Sequence, residues 1–137
     1  LDASTALSEM VQFASAAKTH LLDAGFSSER VFVDPGIGFG KTIEQNFSLL
    51  ARQAELLAGG SRLLVGWSRK SSLGAVTGLE VTERAVPSAV AAVLAIERGA
   101  SIVRVHDVRE TVAALAVWTS TISQTGTTAS RPMEAGT

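Results

Sequence analysis

The sequence has no cysteine in its 137 residues. It can therefore form neither disulfides nor thiolate metal sites, which fits a reducing, cytoplasmic location. No run approaches the roughly 18 uninterrupted apolar residues of a membrane span. The net charge of −1 provides no general attraction for nucleic acid or for a membrane surface. The N-terminus, LDASTALSEM, lacks the basic start and apolar stretch of a signal peptide, and it lacks an initiator methionine. That last absence points to a chain cut from something longer. With 46% hydrophobic and 18% charged residues, what is present suits one globular domain with a real core.

The pattern alternates helix and strand. Leu7, Met10, Val11, Ala14, Ala17 and Leu21 recur at helical spacing, with Gly25 as a stop. A short buried strand follows at 31–33. Thr42 and Gln45 form a capping-box pattern, and Ile43, Phe47, Leu50, Ala54 and Leu57 stripe a second helix before Gly59 and Gly60. The strand at 63–65 runs into a long polar segment, GWSRKSSLG. Pro87 suits the first turn of a third helix, striped by Val90, Val93 and Leu94 and stopped by Gly99. A strand at 101–105 precedes a last helix, boxed by Asp107 and Glu110 and carrying Val108, Val112, Leu115 and Ile122. From Gln124 onward the tail is small, polar and aperiodic, and is expected to be unstructured. Such alternation implies an α/β fold with a parallel sheet. An open doubly wound sheet and a (β/α)8 barrel compete. Three strands give only a thin open sheet, whereas a barrel needs about 250 residues. Either way the chain looks incomplete.

Each strand ends in residues that a structural strand end does not need. The first ends in Asp34; the second leads to Ser68, Arg69, Lys70 and Ser71; the third carries Arg104 and His106. In parallel α/β folds, active sites gather at these carboxyl ends. Arg104 and His106 are two apart, so they share a strand face with Ile102. Asp34 reads equally well as a turn residue in a natural Asp-Pro-Gly strand exit or as a ligand for a planar amide-amine edge. The glycine-rich stretch GIGFGKT fails as a phosphate loop, because Pro35 stands where the first glycine is required, and Lys41 breaks the dinucleotide pattern. Its glycines instead permit unusual dihedrals and close approach to a ligand. Phosphate is better served by Arg104 with His106 and by Arg69 with Lys70, since arginine forks onto phosphate oxygens and lysine acts as a compact charge. Solvated surface charge is the competing reading, and for Arg69 the two stand level. His20 reads as a surface or packed histidine, Trp118 as core, and Trp67 as either.

DPGIGFGKTIEQN (34–46), LLVGWSRKSSLG (63–74) and GASIVRVHDV (99–108), in this order and spacing, resemble the dihydropteroate synthase family. The likeness runs through almost all of residues 5–122 and covers the C-terminal part of that family's barrel, roughly strands six to eight with their helices, here residues 1–123. The resemblance implies catalytic roles for Lys70, Arg104 and His106. It implies that Asp34 binds the amino-pyrimidine edge of a pterin, and that Lys70 contacts its ring near the backbone of Gly66. Arg104 would stack on the pterin and reach the diphosphate, with His106 beside it. Ser71 would hold the carboxylate of p-aminobenzoate, with Phe39 and Arg69 lining that pocket. The reaction implied is condensation of 6-hydroxymethyl-7,8-dihydropterin diphosphate with p-aminobenzoate, releasing diphosphate in folate biosynthesis. Magnesium assists in the family, with its ligand outside this segment and no metal-binding residue within it. Sulfonamide inhibition and a full-length homodimer are implied as well, with no nucleic-acid or membrane partner. Pro87 departs from the family's small flexible residue at that helix start.

The family's earlier strands and first two loops have no counterpart here, so the half-site alone is expected to be inactive. The alternatives are a non-catalytic pterin-binding fragment and a pterin-dependent methyltransferase barrel. The latter is disfavoured because methyl transfer releases no diphosphate. A doubly wound nucleotide-binding domain is the least favoured, its glycine fingerprints having failed.

Overall fold

The computed structural model describes residues 3–124. Its elements are α1 (Ala3–Asp23), β1 (Phe32–Val33), α2 (Ile43–Ala51), β2 (Arg62–Val65), α3 (Ser71–Thr77), α4 (Ala85–Glu97), β3 (Ala100–Val103) and α5 (Val108–Gln124). Short 3-10 turns lie at Ser28–Arg30, Gln53–Leu57 and Val81–Glu83. Gln124 closes α5, and the rest of the expected tail lies outside the described residues. No helix among the described residues is long and apolar enough to cross a membrane.

The three strands are parallel and lie in chain order, β1-β2-β3. A doubly wound sheet reverses its strand order at a switch point. Sequential neighbours are what consecutive barrel strands give. Along β2 the side chains alternate. Leu63 and Val65, with Trp67 beyond them, pack into a core with Leu49, Leu50, Leu56, Ala91 and Ala95. The Trp67 ring meets Phe47 at 5.3 Å, which settles Trp67 as a core residue. Phe32 and Leu64 on the opposite face are half-buried, and Ile102 is exposed. One face of the sheet is thus dry and the other short of cover, as expected for an arc of a barrel wall.

Several elements differ from the sequence reading. The second helix stops at Ala51 instead of continuing through Ala54 and Leu57. There the Gln53 side chain turns inward and donates to the carbonyls of Ala95 and Arg98 at 2.8 and 3.4 Å. The segment read as polar contains α3, whose buried residues are Ser72 and Leu73 and whose end is closed by Gly78 in the left-handed region. Pro87 does lie in the first turn of α4, but the buried face of that helix is Ser88, Ala89, Ala91, Ala92 and Ala95. Small residues allow close packing there, and Val90 is left 53% exposed. On α5 the inward stripe is Thr111, Ala114, Leu115, Trp118 and Ile122, whereas Val108 and Val112 face out. Trp118 is accordingly half-buried. The third strand ends at Val103, so Arg104 lies beyond it instead of within a strand to 105, and His106 lies further along the same loop. The Arg104 N–H still pairs with the Val65 carbonyl at 3.0 Å, which keeps Arg104 in strand register; the His106 N–H is taken by Ser68 Oγ instead.

Candidate active site

The first rim segment is the turn after β1. Asp34 Oδ1 accepts the Gly36 N–H at 2.8 Å, a local turn bond that fixes the carboxylate. The following loop is held from two sides. Lys41 Nζ folds back to donate to the carbonyls of Gly36 and Phe39 at 3.0 and 3.1 Å. Burial lowers the pKa of Lys41, partly opposed by the charge of Asp34. This lysine therefore serves the loop's own backbone. On the other side, buried Asn46 accepts the Gly38 N–H at 2.9 Å and donates to Ser72 Oγ at 3.0 Å, tying the loop to α3. The Thr42–Gln45 capping box forms in both directions and starts α2 as the spacing predicts.

The second rim segment follows β2. Arg69 has φ +58°, a left-handed conformation that costs a non-glycine residue about 1–2 kcal/mol. Three partners hold it. Its N–H donates to Ser88 Oγ at 2.9 Å, and its carbonyl accepts from Arg84 at 3.1 Å. Its guanidinium makes two bonds to Asp107, at 3.1 and 2.6 Å. The hydrogen bond from Arg69, with the charge of Arg69 beside it, holds the Asp107 carboxyl below its ordinary range, and the same bond raises Arg69. Asp107 is thus committed to Arg69 and not to the expected box with Glu110. The reversal at Arg69 directs Lys70 to the glycine loop, where its ammonium lies 4.2 Å from the centre of the Phe39 ring. The Lys70 stem occupies the space a side chain at Gly38 would need: a Cβ there would lie 2.9 Å from Lys70 Cδ.

The third segment follows β3. The Arg104 guanidinium lies across Gly66, where a Cβ would come within 3.0 Å of Nη2. Its Nη2 is 3.6 Å from Asp34 Oδ2. The His106 N–H donates to Ser68 Oγ at 3.0 Å, and the ring Nδ1 is 2.9 Å from the same oxygen. Gly66, Ser68, Lys70, Arg104, Val105 and His106 line a cleft of about 220 Å³. Asp34 adjoins it through Arg104, and Phe39 through Lys70. Arg69 is turned away to Asp107, and Ser71 is exposed at the first turn of α3; neither lines the cleft. Ser68 and Asn46 carry no assigned role in the sequence reading, although both lie inside the quoted motifs.

Cationic side chains and one fixed carboxylate thus converge at the carboxyl ends of three neighbouring parallel strands. Residues 1–106 match the family described as pterin binding enzyme. The chain belongs to this family. Among its relatives, dihydropteroate synthase of Escherichia coli K12 is 48% identical over 100 residues, covering 73% of this chain and 36% of that protein. A probable bifunctional folylpolyglutamate synthase/dihydropteroate synthase of Halobacterium salinarum is 51% identical over 94 residues, 69% of this chain and 11% of that protein. The crystal structure of Burkholderia cenocepacia dihydropteroate synthase complexed with 7,8-dihydropteroate superposes with a TM-score of 0.83 at 43% identity, covering 88% of this chain and 46% of that one. The α/β fold of this chain is therefore that of a dihydropteroate synthase barrel in part. The chain spans less than half the length of each of these relatives.

Proposed function

We propose that this chain is the part of a dihydropteroate synthase that recognises pterin and diphosphate, corresponding to roughly strands six to eight of its barrel. The observation that carries the reading is the meeting of Lys70, Arg104 and His106 in one cleft with Asp34 at its edge. Asp34 has one oxygen fixed by Gly36 and the other only loosely approached, so it retains acceptors for the amino-pyrimidine edge of a pterin. In the reaction, the aniline nitrogen of p-aminobenzoate attacks the methylene carbon of the dihydropterin diphosphate. The carbon–oxygen bond breaks, its electron pair leaves with diphosphate, and the nitrogen loses a proton. Cations fixed beforehand beside the departing oxygens stabilise this charge more in the transition state than in the ground state. Arg104 and Lys70 supply the charge and His106 a further donor.

Binding of p-aminobenzoate near Phe39 and Ser71, and of sulfonamides in its place, belongs to the same proposal. So does pairing of full-length copies, supported by the exposed valines Val86, Val90 and Val112 on α4 and α5. Among the described residues no three His, Asp or Glu side chains gather to hold a metal. No step is therefore assigned to magnesium here.

The short coverage of its relatives supports binding without turnover by this segment alone. Calorimetry with a pterin analogue, run beside a product assay on the 137-residue chain, tests both points. Pterin binding that Asp34→Asn abolishes, without product, is expected. Binding indifferent to Asp34→Asn would remove the pterin assignment, and product formed by this chain alone would refute its incompleteness.

A further inference from the structure

We propose that Ser68 is a positioning residue that sets the tautomer of His106, so that neutral His106 offers Nε2–H to the cleft as a donor. That the donor serves diphosphate rests on the function proposed above; the tautomer rests on geometry alone. Ser68 is only 6% exposed, so its hydroxyl proton calls for an acceptor. Its oxygen already accepts the His106 N–H at 3.0 Å. Among the described residues the one acceptor near that proton is His106 Nδ1, at 2.9 Å. A hydroxyl that donates to Nδ1 leaves the ring proton on Nε2. Nε2 is the ring nitrogen without a partner among the described residues, and His106 lines the cleft. The two bonds to one oxygen also tie the imidazole to its own backbone, so the ring's direction is set with its tautomer. Had Nδ1 carried the proton, Nε2 would present a lone pair to an anion and repel it. An uncharged N–H donor is suited to bind the diphosphate and then release it, beside the permanent charge of Arg104.

The chain has two histidines, which makes the test direct. The 137-residue chain labelled with 15N-histidine is examined by imidazole NMR at about pH 8.5, above the usual imidazole range, with His20→Gln identifying His106. A pyridine-type Nδ1 and a pyrrole-type Nε2 are expected, and a protonated Nδ1 in the wild type overturns the proposal. In Ser68→Ala the single tautomer is expected to give way to a mixture; an unchanged tautomer likewise overturns it. Titration with inorganic diphosphate is the second arm. A shift of the His106 Nε2 signal in the wild type, diminished in Ser68→Ala, is expected. A fixed tautomer whose Nε2 signal diphosphate leaves unmoved overturns the assignment of the donor to diphosphate, while the positioning role stands.

Discussion

Two arginine–aspartate pairs lie at the same rim and behave differently. Arg69 and Asp107 are closed: two bonds, the shorter 2.6 Å, with the side chains 35% and 14% exposed. Arg104 and Asp34 are open: 3.6 Å apart, with side chains 63% and 39% exposed. A closed pair is occupied with itself, and here it holds a left-handed backbone turn in place. An open pair keeps donors and acceptors for a third party. Arg104 and Asp34 come within ion-pair range without a hydrogen bond, and most of their donors and acceptors stay open. Identical residue types thus hold the fold in one case and stay open at the rim in the other, where the proposed function places the ligand.

The sharpest way to break this comparison is to remove one arginine from each pair in the intact barrel that carries this segment. Arg104→Ala should lower turnover by about 10²–10³-fold, the loss typical of a preorganised donor to developing negative charge. Its thermal unfolding should stay close to wild type, because exposed side chains outside special features contribute little. Arg69→Ala should show the reverse pattern, with lower stability and a smaller kinetic effect. Equal kinetic losses in the two variants would erase the distinction.

The gap between Arg104 and Asp34 depends in turn on the loop behind it. Asn46→Ala strips the partner from the Gly38 N–H and from buried Ser72, which should cost about 1–3 kcal/mol measured by denaturant unfolding. It should also let Asp34 close on Arg104, weakening pterin binding. Unfolding indistinguishable from wild type would mean the loop is held by Lys41 alone.

The closed pair has a pH signature. The folded-state pKa of Asp107 is depressed below its ordinary 3.8, chiefly by the hydrogen bond from Arg69. Its stabilisation is therefore complete above that ordinary value and is lost as pH falls through the depressed one. Asp107→Asn should be less stable than wild type at neutral pH, and the difference should shrink in acid. A difference constant with pH would show that the pair's charge adds nothing.

How much of this was legible beforehand follows from how local each feature is. The Thr42–Gln45 box is written within four residues and formed as read. Strand ends were legible because Asp34, Lys70, Arg104 and His106 break apolar runs where a structural strand has no use for charge. The break of α2 at Gln53 was not, since its cause is the carbonyls of Ala95 and Arg98, more than forty residues away. The valine stripes of α4 and α5 misled because periodicity marks an apolar face without saying which apolar face is buried. Arg104 stood out from Arg69 only by breaking an apolar strand, which did not reveal that Arg69 is paired. Only the register that puts Asp107 beside Arg69 and leaves Asp34 at a distance from Arg104 does so. Ser68 and Asn46 stayed silent because a buried hydroxyl or amide looks, in sequence, like an exposed one.

The finest probe of the open pair is Gly66→Ala. The Gly66 backbone is not in the left-handed region, so alanine is conformationally admissible there. The new Cβ would lie 3.0, 3.4 and 3.5 Å from Arg104 Nη2, Nε and Cζ, and the flexible guanidinium can give way by a few tenths of an ångström. Stability should therefore change by no more than about 1 kcal/mol. Turnover of the intact barrel should fall by a few-fold, well short of the roughly 10²-fold that a full ångström of misplacement can cost. A loss as large as that of Arg104→Ala would mean that Gly66 is needed for something besides room for the guanidinium, such as backbone contact with the ligand. No loss at all would mean that Arg104 reaches its partner equally well from a shifted position. The open pair would then be loose enough that its spacing in the unliganded chain says nothing about where the occupant sits.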